Sequence, residues 1–403
     1  MEDHDYEIII IGAGIAGINA AYRVHTCLPG YRYAVLEARH SAGGTWDLFR
    51  YPGVRSDASM HAFGFAWFPW GRYDYHLGDG EKKKEEHVRK MKTQDGKEVK
   101  RERVQGQHFG TGEQIRKYIA DAAAEYGIDR HIKFGHHVVA AEWNTEGKSG
   151  TRWCLSVDVD DSYGKMAMGK GEVKEKKKKK KNVSFTARWI LLATEYYDYE
   201  SPRDAKIPGL DSFRGQVINP QFWPSDLVPK IAGQKIAIIG SGATATSILP
   251  ELAGQLPATT QITLIQRSPS YIAPMPGRDT LHIPSFLPSF FVDFYRRAYH
   301  VLSLWIVVLI CTYNPDRVKR NIRRAGRRLL RGTKVDYDEH FTPSYNPWDQ
   351  RICLDVDGKF YKAFRRENVD IMTGEIEGVT EGAILVKSSR KDNNTTKNDK
   401  NNG

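Results

Sequence analysis

The sequence predicts an α/β protein with two doubly wound, Rossmann-like dinucleotide-binding domains. Two glycine-rich turns carry this prediction: Gly12–Gly17 reads GAGIAG and Gly240–Ala245 reads GSGATA. Each turn follows an apolar run, Glu7–Ile11 or Lys235–Ile239, that is typical of a buried parallel strand, and each precedes small residues that are typical of a helix. Two such units in one chain indicate two dinucleotides, and therefore a redox relay.

The first turn offers a pyrophosphate site. Gly12, Gly14 and Gly17 allow the backbone to approach the anion, and the N–H groups at the start of the following helix can bind it. Glu37 ends the next apolar run, 20 residues after Gly17. An acidic residue there accepts a hydrogen bond from a ribose hydroxyl and repels a 2′-phosphate, so this site suits FAD or NAD.

The second turn differs in the residue that follows its next strand. The corresponding candidates for pyrophosphate contact are Gly240, Gly242, Ala243 and Thr244. The next apolar run, Gln261–Ile265, is followed by Gln266, Arg267 and Ser268. An arginine at that place can pair with the 2′-phosphate of NADPH through charge-assisted hydrogen bonds, which predicts an NADPH site. The alternative for Arg267 is a surface arginine without a ligand.

Composition restricts the class of protein. The chain has 403 residues, enough for two domains with hydrophobic cores. Its four cysteines are scattered and form no CxxC pair, which argues against a disulfide framework and against a metal site. The acidic N-terminus runs directly into the first strand without a signal sequence, so a cytoplasmic protein is expected.

The net charge of +11 is concentrated in a few segments: Glu81–Arg103, Lys174–Lys181, Arg317–Arg331 and, more weakly, the tail from Arg390. The first two interrupt the strand and helix pattern and are interpreted as hydrophilic loop insertions at about 80–106 and 165–182. A nucleic-acid site would require basic residues mixed with aromatic ones on one ordered face. We therefore predict solvated loops and no nucleic-acid partner.

An apolar run lies at Val301–Cys311. A membrane-spanning helix needs about 20 apolar residues, so this run is too short to indicate one. The sequence favours a buried helix. The arginines that follow leave contact with a membrane surface open as the alternative.

The order of patterns predicts the domain limits. The first domain covers 1–200, and in it Thr111 begins a helix to about Tyr126 with a capping box to Gln114. Strands are expected at 132–159 and 183–193, the second with a buried segment at Arg188–Ala193. The second domain covers 201–387, with a Pro- and Gly-rich connection at 201–233, a helical insertion at about 284–331 and strands from Val369; residues 388–403 read as a disordered polar tail.

Further motifs accompany the two turns. They are Gly43–Asp57 (GGTWDLFRYPGVRSD), Tyr126–Ile132, Gln266–Tyr271 and Tyr345–Arg351. Together with the turns, in this order, they resemble the class B flavoprotein monooxygenases of the Baeyer–Villiger type, and among these the thioamide-activating monooxygenases. The resemblance extends over nearly the whole chain outside the charged insertions.

The resemblance implies a function. NADPH would reduce FAD, the reduced flavin would capture O2 as a peroxide, and one oxygen atom would pass to a small ketone, sulfide or amine. By resemblance, Gly44, Thr45, Trp46 and Asp57 contact FAD, and Asp57 takes part in catalysis. Arg297 is the candidate for stabilising the anionic peroxide. Its neighbour Arg296, or a surface position without such a role, is the alternative.

Three departures from the family pattern favour a second hypothesis. Asn219 stands where the family fingerprint has histidine, and Glu195 stands where it has glycine. The family also continues into a further C-terminal segment, so the chain is expected to be truncated relative to it. These differences favour a catalytically impaired FAD- and NAD(P)-binding relative as the alternative to an active monooxygenase.

Overall fold

The computed structural model describes residues 4–70, 89–92, 98–101, 109–145, 152–160, 181–202, 204–279, 281, 283 and 288–388. The chain forms two compact units. The first contains Met1–Arg50 and Ser59–Ser201, and the second contains Tyr51–Ala58 and Pro202–Gly403. The tail from 389 and most of both charged insertions, including lysines 176–180, lie outside the described residues.

The first unit contains eight strands and four α-helices among its described residues. The strands are β1 (Asp5–Ile11), β2 (Tyr33–Glu37), β3 (Arg89–Lys92), β4 (Glu98–Arg101), β5 (Ile132–Phe134), β6 (His136–Asn144), β7 (Arg152–Val159) and β8 (Lys181–Leu192). The helices are α1 (Ile15–Cys27), α2 (Thr45–Leu48), α3 (Met60–Phe63) and α4 (Gly112–Glu125), with a 3-10 helix at Ile128–His131. Strands β3 and β4 pair as an antiparallel hairpin, where the sequence was interpreted as a hydrophilic loop insertion.

The main sheet of the first unit has the strand order β5-β2-β1-β8-β7-β6. Strands β5, β2, β1 and β8 are parallel, as predicted for a Rossmann-like unit, and β7 and β6 add antiparallel pairs. Successive residues of β1 point to opposite faces. Ile8 and Ile10 pack in one core cluster with residues of α1 and α4, while Ile9 packs in a second cluster built from strand residues.

Helix α4 begins as the sequence predicts. The Thr111 hydroxyl accepts a hydrogen bond from the Gln114 N–H at 3.3 Å, and the Gln114 side chain accepts one from the Thr111 N–H at 2.9 Å. This is the capping box expected from the residue spacing, and it satisfies two donors at the helix start.

The segment Arg188–Ala193 was expected to be a buried strand, and this expectation is wrong. Trp189 is 63% exposed and Leu192 is 72% exposed. The reason is the strand register: β7 pairs with β8 as far as Ala187, so among the described residues the rest of β8 has only β1 as a strand neighbour.

The second unit contains six strands and six α-helices among its described residues. The strands are β9 (Lys235–Ile239), β10 (Gln261–Gln266), β11 (Ile272–Met275), β12 (Cys353–Val356), β13 (Val369–Val379) and β14 (Ile384–Ser388). The α-helices are α5 (Leu227–Lys230), α6 (Ala243–Gln255), α7 (Ser289–Tyr313), α8 (Pro315–Leu329), α9 (Tyr337–His340) and α10 (Lys359–Ala363), with 3-10 helices at Leu210–Ser212 and Pro220–Phe222.

The main sheet of this unit has the order β14-β13-β10-β9, in which β9, β10 and β13 are parallel. Its core joins the sheet to α6 and α10, with Leu249 and Phe360 almost fully buried. The parallel pairing of β9 was predicted, but its burial was not correctly predicted. Strand β9 lies at the sheet edge, and its Ile239 is 47% exposed.

The apolar run Val301–Cys311 forms part of the long helix α7. The expectation of a buried helix is wrong. Only 11% of the most apolar 18 consecutive residues of α7 are buried, and Trp305 is 63% exposed. Apolar composition predicts burial only when another element covers the helix. The described residues of this unit cover one side of α7, at Val292, His300 and Cys311.

Candidate functional site

The first glycine turn requires glycine for reasons of space and backbone geometry. Gly12 has a φ of +105°, and its N–H donates to the Leu36 carbonyl at 2.8 Å. A Cβ at Gly12 would lie 2.8 Å from the Ala193 carbonyl oxygen, and a Cβ at Gly17 would lie 1.9 Å from the Gly12 oxygen. The turn, helix α1 and the residue after β8 therefore approach one another as only glycine permits.

Glu37 lies at the end of β2, where the sequence predicts it, and is 5% exposed. One carboxylate oxygen accepts the Ala13 N–H at 2.7 Å, and the other accepts the Arg39 N–H at 2.9 Å. The carboxylate is thus fixed beside the turn by two backbone donors. This places an acidic group where a dinucleotide ribose would need an acceptor.

A second pair of glycines packs against the first turn. Gly43 donates its N–H to the Ala13 carbonyl at 3.0 Å. Gly44 has a φ of +55°, and a Cβ there would lie 3.1 Å from the Gly14 Cα. Helix α2 begins directly after this contact, at Thr45. The predicted cofactor residues Gly14, Gly44 and Thr45 are therefore neighbours.

The residues after Thr45 anchor helix α2. The buried Asp47 carboxylate pairs with Arg39 at 2.8 Å and with Arg50 at 2.5 Å. Trp46 is half-buried and stands edge-on to Phe63, with 6.1 Å between ring centroids. These contacts hold Thr45 in a fixed position next to the turn.

Glu195 introduces a negative charge at this turn. The Thr45 hydroxyl donates a hydrogen bond to the Glu195 carboxylate. Tyr199 lies in the same group, its hydroxyl 3.7 Å from the position of a Cβ on Gly44. Burial raises the pKa of Tyr199, and the Glu195 charge adds to this effect while a hydrogen bond with Thr45 opposes it.

The backbone of the first turn is suited to bind a pyrophosphate, but the negative charge of a neighbouring side chain is not. Helix α1 has Gly14 as its N-cap and no side-chain cap, so its first N–H groups are free to bind an anion. The Glu195 carboxylate, exposed and bonded to Thr45, opposes an anion there.

The second turn is open where the first is packed. Gly240 has a φ of +112°, and its N–H donates to the Ile265 carbonyl at 2.8 Å. Gly242 has an ordinary φ of −82°, and a Cβ there would meet no heavy atom within 4 Å. Neither strain nor packing within the described residues requires glycine at 242. An approaching ligand would require it.

The predicted NADPH residues surround the start of helix α6. Ala243 is its first residue, and Thr244 hydrogen-bonds with the Tyr51 side chain. Arg267 and Ser268 are exposed directly after β10. Because β9 and β10 are parallel, their carboxyl ends lie at the same end of the sheet. The second turn and Arg267 follow these strands and therefore lie at that end.

The segment Tyr51–Ala58 packs onto this second unit. Gly53 has a φ of +80°, and a Cβ there would lie 2.5 Å from the Ser247 carbonyl oxygen of α6. The Arg55 guanidinium donates to the Ser247 hydroxyl at 3.2 Å and to the Leu354 carbonyl at 2.6 Å. No individual role was predicted for Arg55, which entered only as part of the motif Gly43–Asp57. Its two partners could not be identified without the fold.

Asp57 lies beside this arginine. Its Oδ1 is 3.5 Å from Arg55 Nε, and its Oδ2 accepts the Leu354 N–H at 3.5 Å. Burial raises the pKa of Asp57, and these two partners only partly oppose that effect. The neighbouring Cys353 thiol has its pKa raised to about 11, chiefly by burial and further by the Asp57 charge. Asp57 is therefore a carboxyl group that retains a proton more readily than a solvated one.

Arg296 and Arg297, the two arginines that the sequence left as alternatives, are neighbours on helix α7. Arg296 Nε lies 3.3 Å from the Asp279 carboxylate, which also lies 3.4 Å from His300 Nε2. The Asp279 carboxylate is buried, whereas the Arg296 side chain is 24% exposed. Arg297 is half-buried on the same helix, α7, and remains the candidate for the active-site cation.

Asn219 has a local structural role. Its side-chain oxygen accepts the Gln221 N–H at 2.9 Å and caps the 3-10 helix Pro220–Phe222. This is a role that asparagine performs well and that does not involve a titrating group.

Comparisons with known proteins match the region of the first turn and, in whole relatives, nearly the full chain. A family profile described as an NAD(P)-binding Rossmann-like domain matches residues 10–75. The FAD-containing monooxygenase EthA of Mycobacterium tuberculosis is 34% identical over 395 residues, covering 97% of this chain and 68% of that protein. The putative FAD-containing monooxygenase MymA of the same organism is 34% identical over 394 residues, with the same coverage.

Solved structures show the same fold. A steroid monooxygenase bound to NADP superposes with a TM-score of 0.64 at 19% identity, covering 95% of this chain and 68% of that one. A cyclohexanone monooxygenase superposes with a TM-score of 0.59 at 19% identity, covering 95% and 70%. The predicted Rossmann-like fold is confirmed.

Proposed function

Because the chain belongs to the FAD-containing monooxygenases of flavoprotein class B, we propose that it uses FAD and NADPH to transfer one oxygen atom from O2 to a small organic substrate. The observation that carries this proposal is the 34% identity with EthA over 97% of the chain. Both dinucleotide turns lie within the matched length. The ketone, sulfide or amine substrate class follows from the resemblance in the motifs.

We assign FAD to the first unit. The residues proposed to bind it are Gly12, Gly14, Gly17, Glu37, Gly44, Thr45 and Trp46. The packing of Gly44 on Gly14, with Glu37 fixed beside them, supports this assignment. The free N–H groups of α1 would bind the pyrophosphate, and Glu37 would accept the ribose hydroxyl.

We assign NADPH to the second unit. The residues proposed to bind it are Gly240, Gly242, Ala243, Thr244, Arg267 and Ser268. Two observations support this assignment: the open space at Gly242, and the exposed Arg267 at the same end of the sheet. Arg267 would pair with the 2′-phosphate, and the first N–H groups of α6 would bind the pyrophosphate.

Two side chains are proposed to act in catalysis. When bound, FAD supplies the redox chemistry with oxygen. Asp57 would hold or release a proton at its partly buried carboxyl, because partial burial raises its pKa. Arg297 would provide a fixed positive charge for an anionic group. The choice of Arg297 follows from the resemblance in the motifs.

A second candidate function is a relative that binds the dinucleotides but oxygenates poorly. The Thr45–Glu195 hydrogen bond favours it, because a carboxylate opposes the pyrophosphate, and so does Asn219 in its capping role. Hydrogen peroxide and oxygenated product, measured together while NADPH is consumed, distinguish the two functions. An active monooxygenase converts most NADPH into product, whereas the impaired relative releases peroxide or leaves NADPH unused.

The test of the FAD assignment compares two glycine substitutions. In Gly14→Ala, the new Cβ would lie 3.6 Å from the Gly44 Cα, an ordinary contact, so the fold should tolerate it. The methyl group would occupy the path of the pyrophosphate. The control is Gly30→Ala, whose Cβ would meet nothing within 4 Å. After reconstitution and gel filtration, Gly30→Ala should retain flavin absorbance and Gly14→Ala should lose it. Equal retention would contradict the FAD assignment.

A further inference from the structure

Helix α7 carries its large apolar side chains on the face turned away from the protein. Its buried residues, Val292, His300 and Cys311, are 9%, 7% and 2% exposed. At about 100° per residue they fall within one third of the helix circumference. The opposite face is apolar along the whole helix, with side chains 49–67% exposed at Phe291, Phe294, Leu302, Trp305 and Leu309.

The charged residues of α7 lie on the protein side. Arg296 and His300 both pair with the Asp279 carboxylate, and Arg297 is half-buried. A surface helix of a soluble protein shows the reverse polarity, with charges outside and apolar residues inside. The most apolar 18 consecutive residues within Phe290–Tyr313 have a mean hydropathy of 1.3, and only 11% of them are buried, so α7 is not a core helix of the described structure.

Helix α8 begins directly after Asn314 and is strongly basic. Four exposed arginines of α8 recur at spacings of 3, 4 and 4 and so form one stripe: Arg317, Arg320, Arg324 and Arg328. The exposed Arg331 follows just after the helix ends at Leu329. Two other arginines of this helix, Arg323 and Arg327, are paired with Asp338. Within the described part of the chain, no carboxylate forms an ion pair with the stripe.

We propose that α7 and α8 form a docking surface for a lipid bilayer that contains anionic phospholipids. Helix α7 lies in the plane of the interface with its apolar face among the acyl chains, and the arginine stripe of α8 contacts headgroup phosphates. Charge favours this occupant. A second copy of the chain would bring a second set of arginines, whereas anionic headgroups complement them.

The geometry favours lying on the bilayer over crossing it. Arg296, Arg297 and His300 limit the apolar run to Val301–Cys311, which itself contains Ser303. A helix of that length is about 16 Å long, roughly half of the hydrocarbon core of a bilayer. The full helix α7, lying flat, presents an apolar face of about 38 Å. This surface does not depend on the identity of the substrate.

Co-sedimentation of the full chain with vesicles tests this proposal. Vesicles of phosphatidylcholine alone and of phosphatidylcholine with phosphatidylglycerol are compared at low and high salt. We expect binding to both, stronger on the anionic vesicles and weakened by salt. The dependence of binding on lipid charge and on salt tests the proposal with the unmodified chain, before any substitution is made.

Two sets of substitutions separate the charges from the apolar face. The triple variant Arg320→Gln, Arg324→Gln, Arg328→Gln should bind anionic vesicles about a hundredfold more weakly. Because the chain has a net charge of +11, a control triple variant, Arg23→Gln, Arg188→Gln, Lys235→Gln, removes the same charge at exposed positions elsewhere and should retain most binding. The variant Leu302→Gln, Trp305→Gln, Leu309→Gln should lose binding to both kinds of vesicle.

Three outcomes would overturn the proposal. The first is an unmodified chain that does not bind anionic vesicles. The second is an equal loss of binding in the two arginine and lysine variants, which would show that net charge alone attracts the chain. The third is a dimer in solution that becomes monomeric when Leu302, Trp305 and Leu309 are replaced, which would show that a second copy covers α7.

Discussion

The Thr45 hydroxyl donates a hydrogen bond to the Glu195 carboxylate beside the first glycine turn. Thr45 belongs to the proposed FAD site, and Glu195 replaces a residue that has no side chain in the family. The interaction thus links the residue expected to help bind an anion to one that repels it. It is the point at which the two candidate functions differ.

Removing the Glu195 side chain should strengthen FAD binding. We expect Glu195→Gly to bind FAD about tenfold more tightly, because a competing carboxylate and its charge leave the pyrophosphate site. Glu195→Gln, which keeps an acceptor for Thr45 without the charge, should show a smaller gain. Flavin fluorescence titration measures both, with Glu200→Gln as the matched control. Unchanged or weaker FAD binding in Glu195→Gly would show that Glu195 does not oppose the cofactor.

The second turn gives a prediction that separates binding from folding. Gly242→Ala should keep the fold, because the φ of residue 242 is ordinary and a Cβ there would meet nothing within 4 Å. It should weaken NADPH binding at least tenfold, because the methyl group would block the approach of NADPH to the backbone. Gly254→Ala is the control in the same helix, and its Cβ also meets nothing within 4 Å. Calorimetric titration with NADPH measures both variants. If they bind NADPH equally, the second turn is not the NADPH site.

Cofactor choice depends on Arg267. Arg267→Ala should weaken NADPH binding roughly tenfold to a hundredfold, as expected for the loss of a hydrogen bond between charged groups. The affinity for NADH should stay nearly unchanged. Arg278→Ala removes another exposed arginine from the same unit and should change neither affinity. An equal loss for NADPH and NADH in Arg267→Ala would mean that this residue does not contact the 2′-phosphate.

A buried carboxyl predicts how stability changes with pH. Asp355 is 1% exposed and accepts the N–H groups of Phe360 and Tyr361, yet burial raises its pKa from 3.8 to about 6. The native state therefore keeps a proton that the unfolded state has released. Over this pH window the free energy of unfolding should fall as pH rises, by up to about 3 kcal/mol from this group.

Asp355→Asn should flatten that decline, because asparagine stays neutral. Urea unfolding between pH 4 and 6.5 measures it, with Asp211→Asn at an exposed position as the control. The raised pKa of Asp57 acts in the same direction, so part of the decline should remain. A decline of the same size in Asp355→Asn and the unmodified chain would contradict the assignment.

The sequence could predict features that depend on local spacing. Both glycine turns, the position of Glu37 and the capping box at Thr111 follow from residues close together in the chain, and the structure confirms their placement. The similarity to known monooxygenases confirms the family resemblance. The individual roles of the site residues remain predictions.

Features that depend on distant partners could not be predicted. Arg55 bonds to residues 192 and 299 positions away, so nothing in its neighbourhood indicated its role. The exposure of Trp189 follows from where β7 begins, which residue type does not encode. Helix α7 was expected in the core because its residues are apolar, but apolarity does not specify what covers a helix.

The most direct test of the central claim is the reduction of bound flavin by NADPH without oxygen. The FAD-reconstituted chain is mixed anaerobically with NADPH, and flavin absorbance is followed with time. We predict that NADPH bleaches the flavin and that admitting O2 restores its absorbance, with NADH acting far more slowly because of Arg267. A chain that binds FAD but whose flavin NADPH cannot reduce, or one that cannot retain FAD at all, would contradict the proposed monooxygenase function.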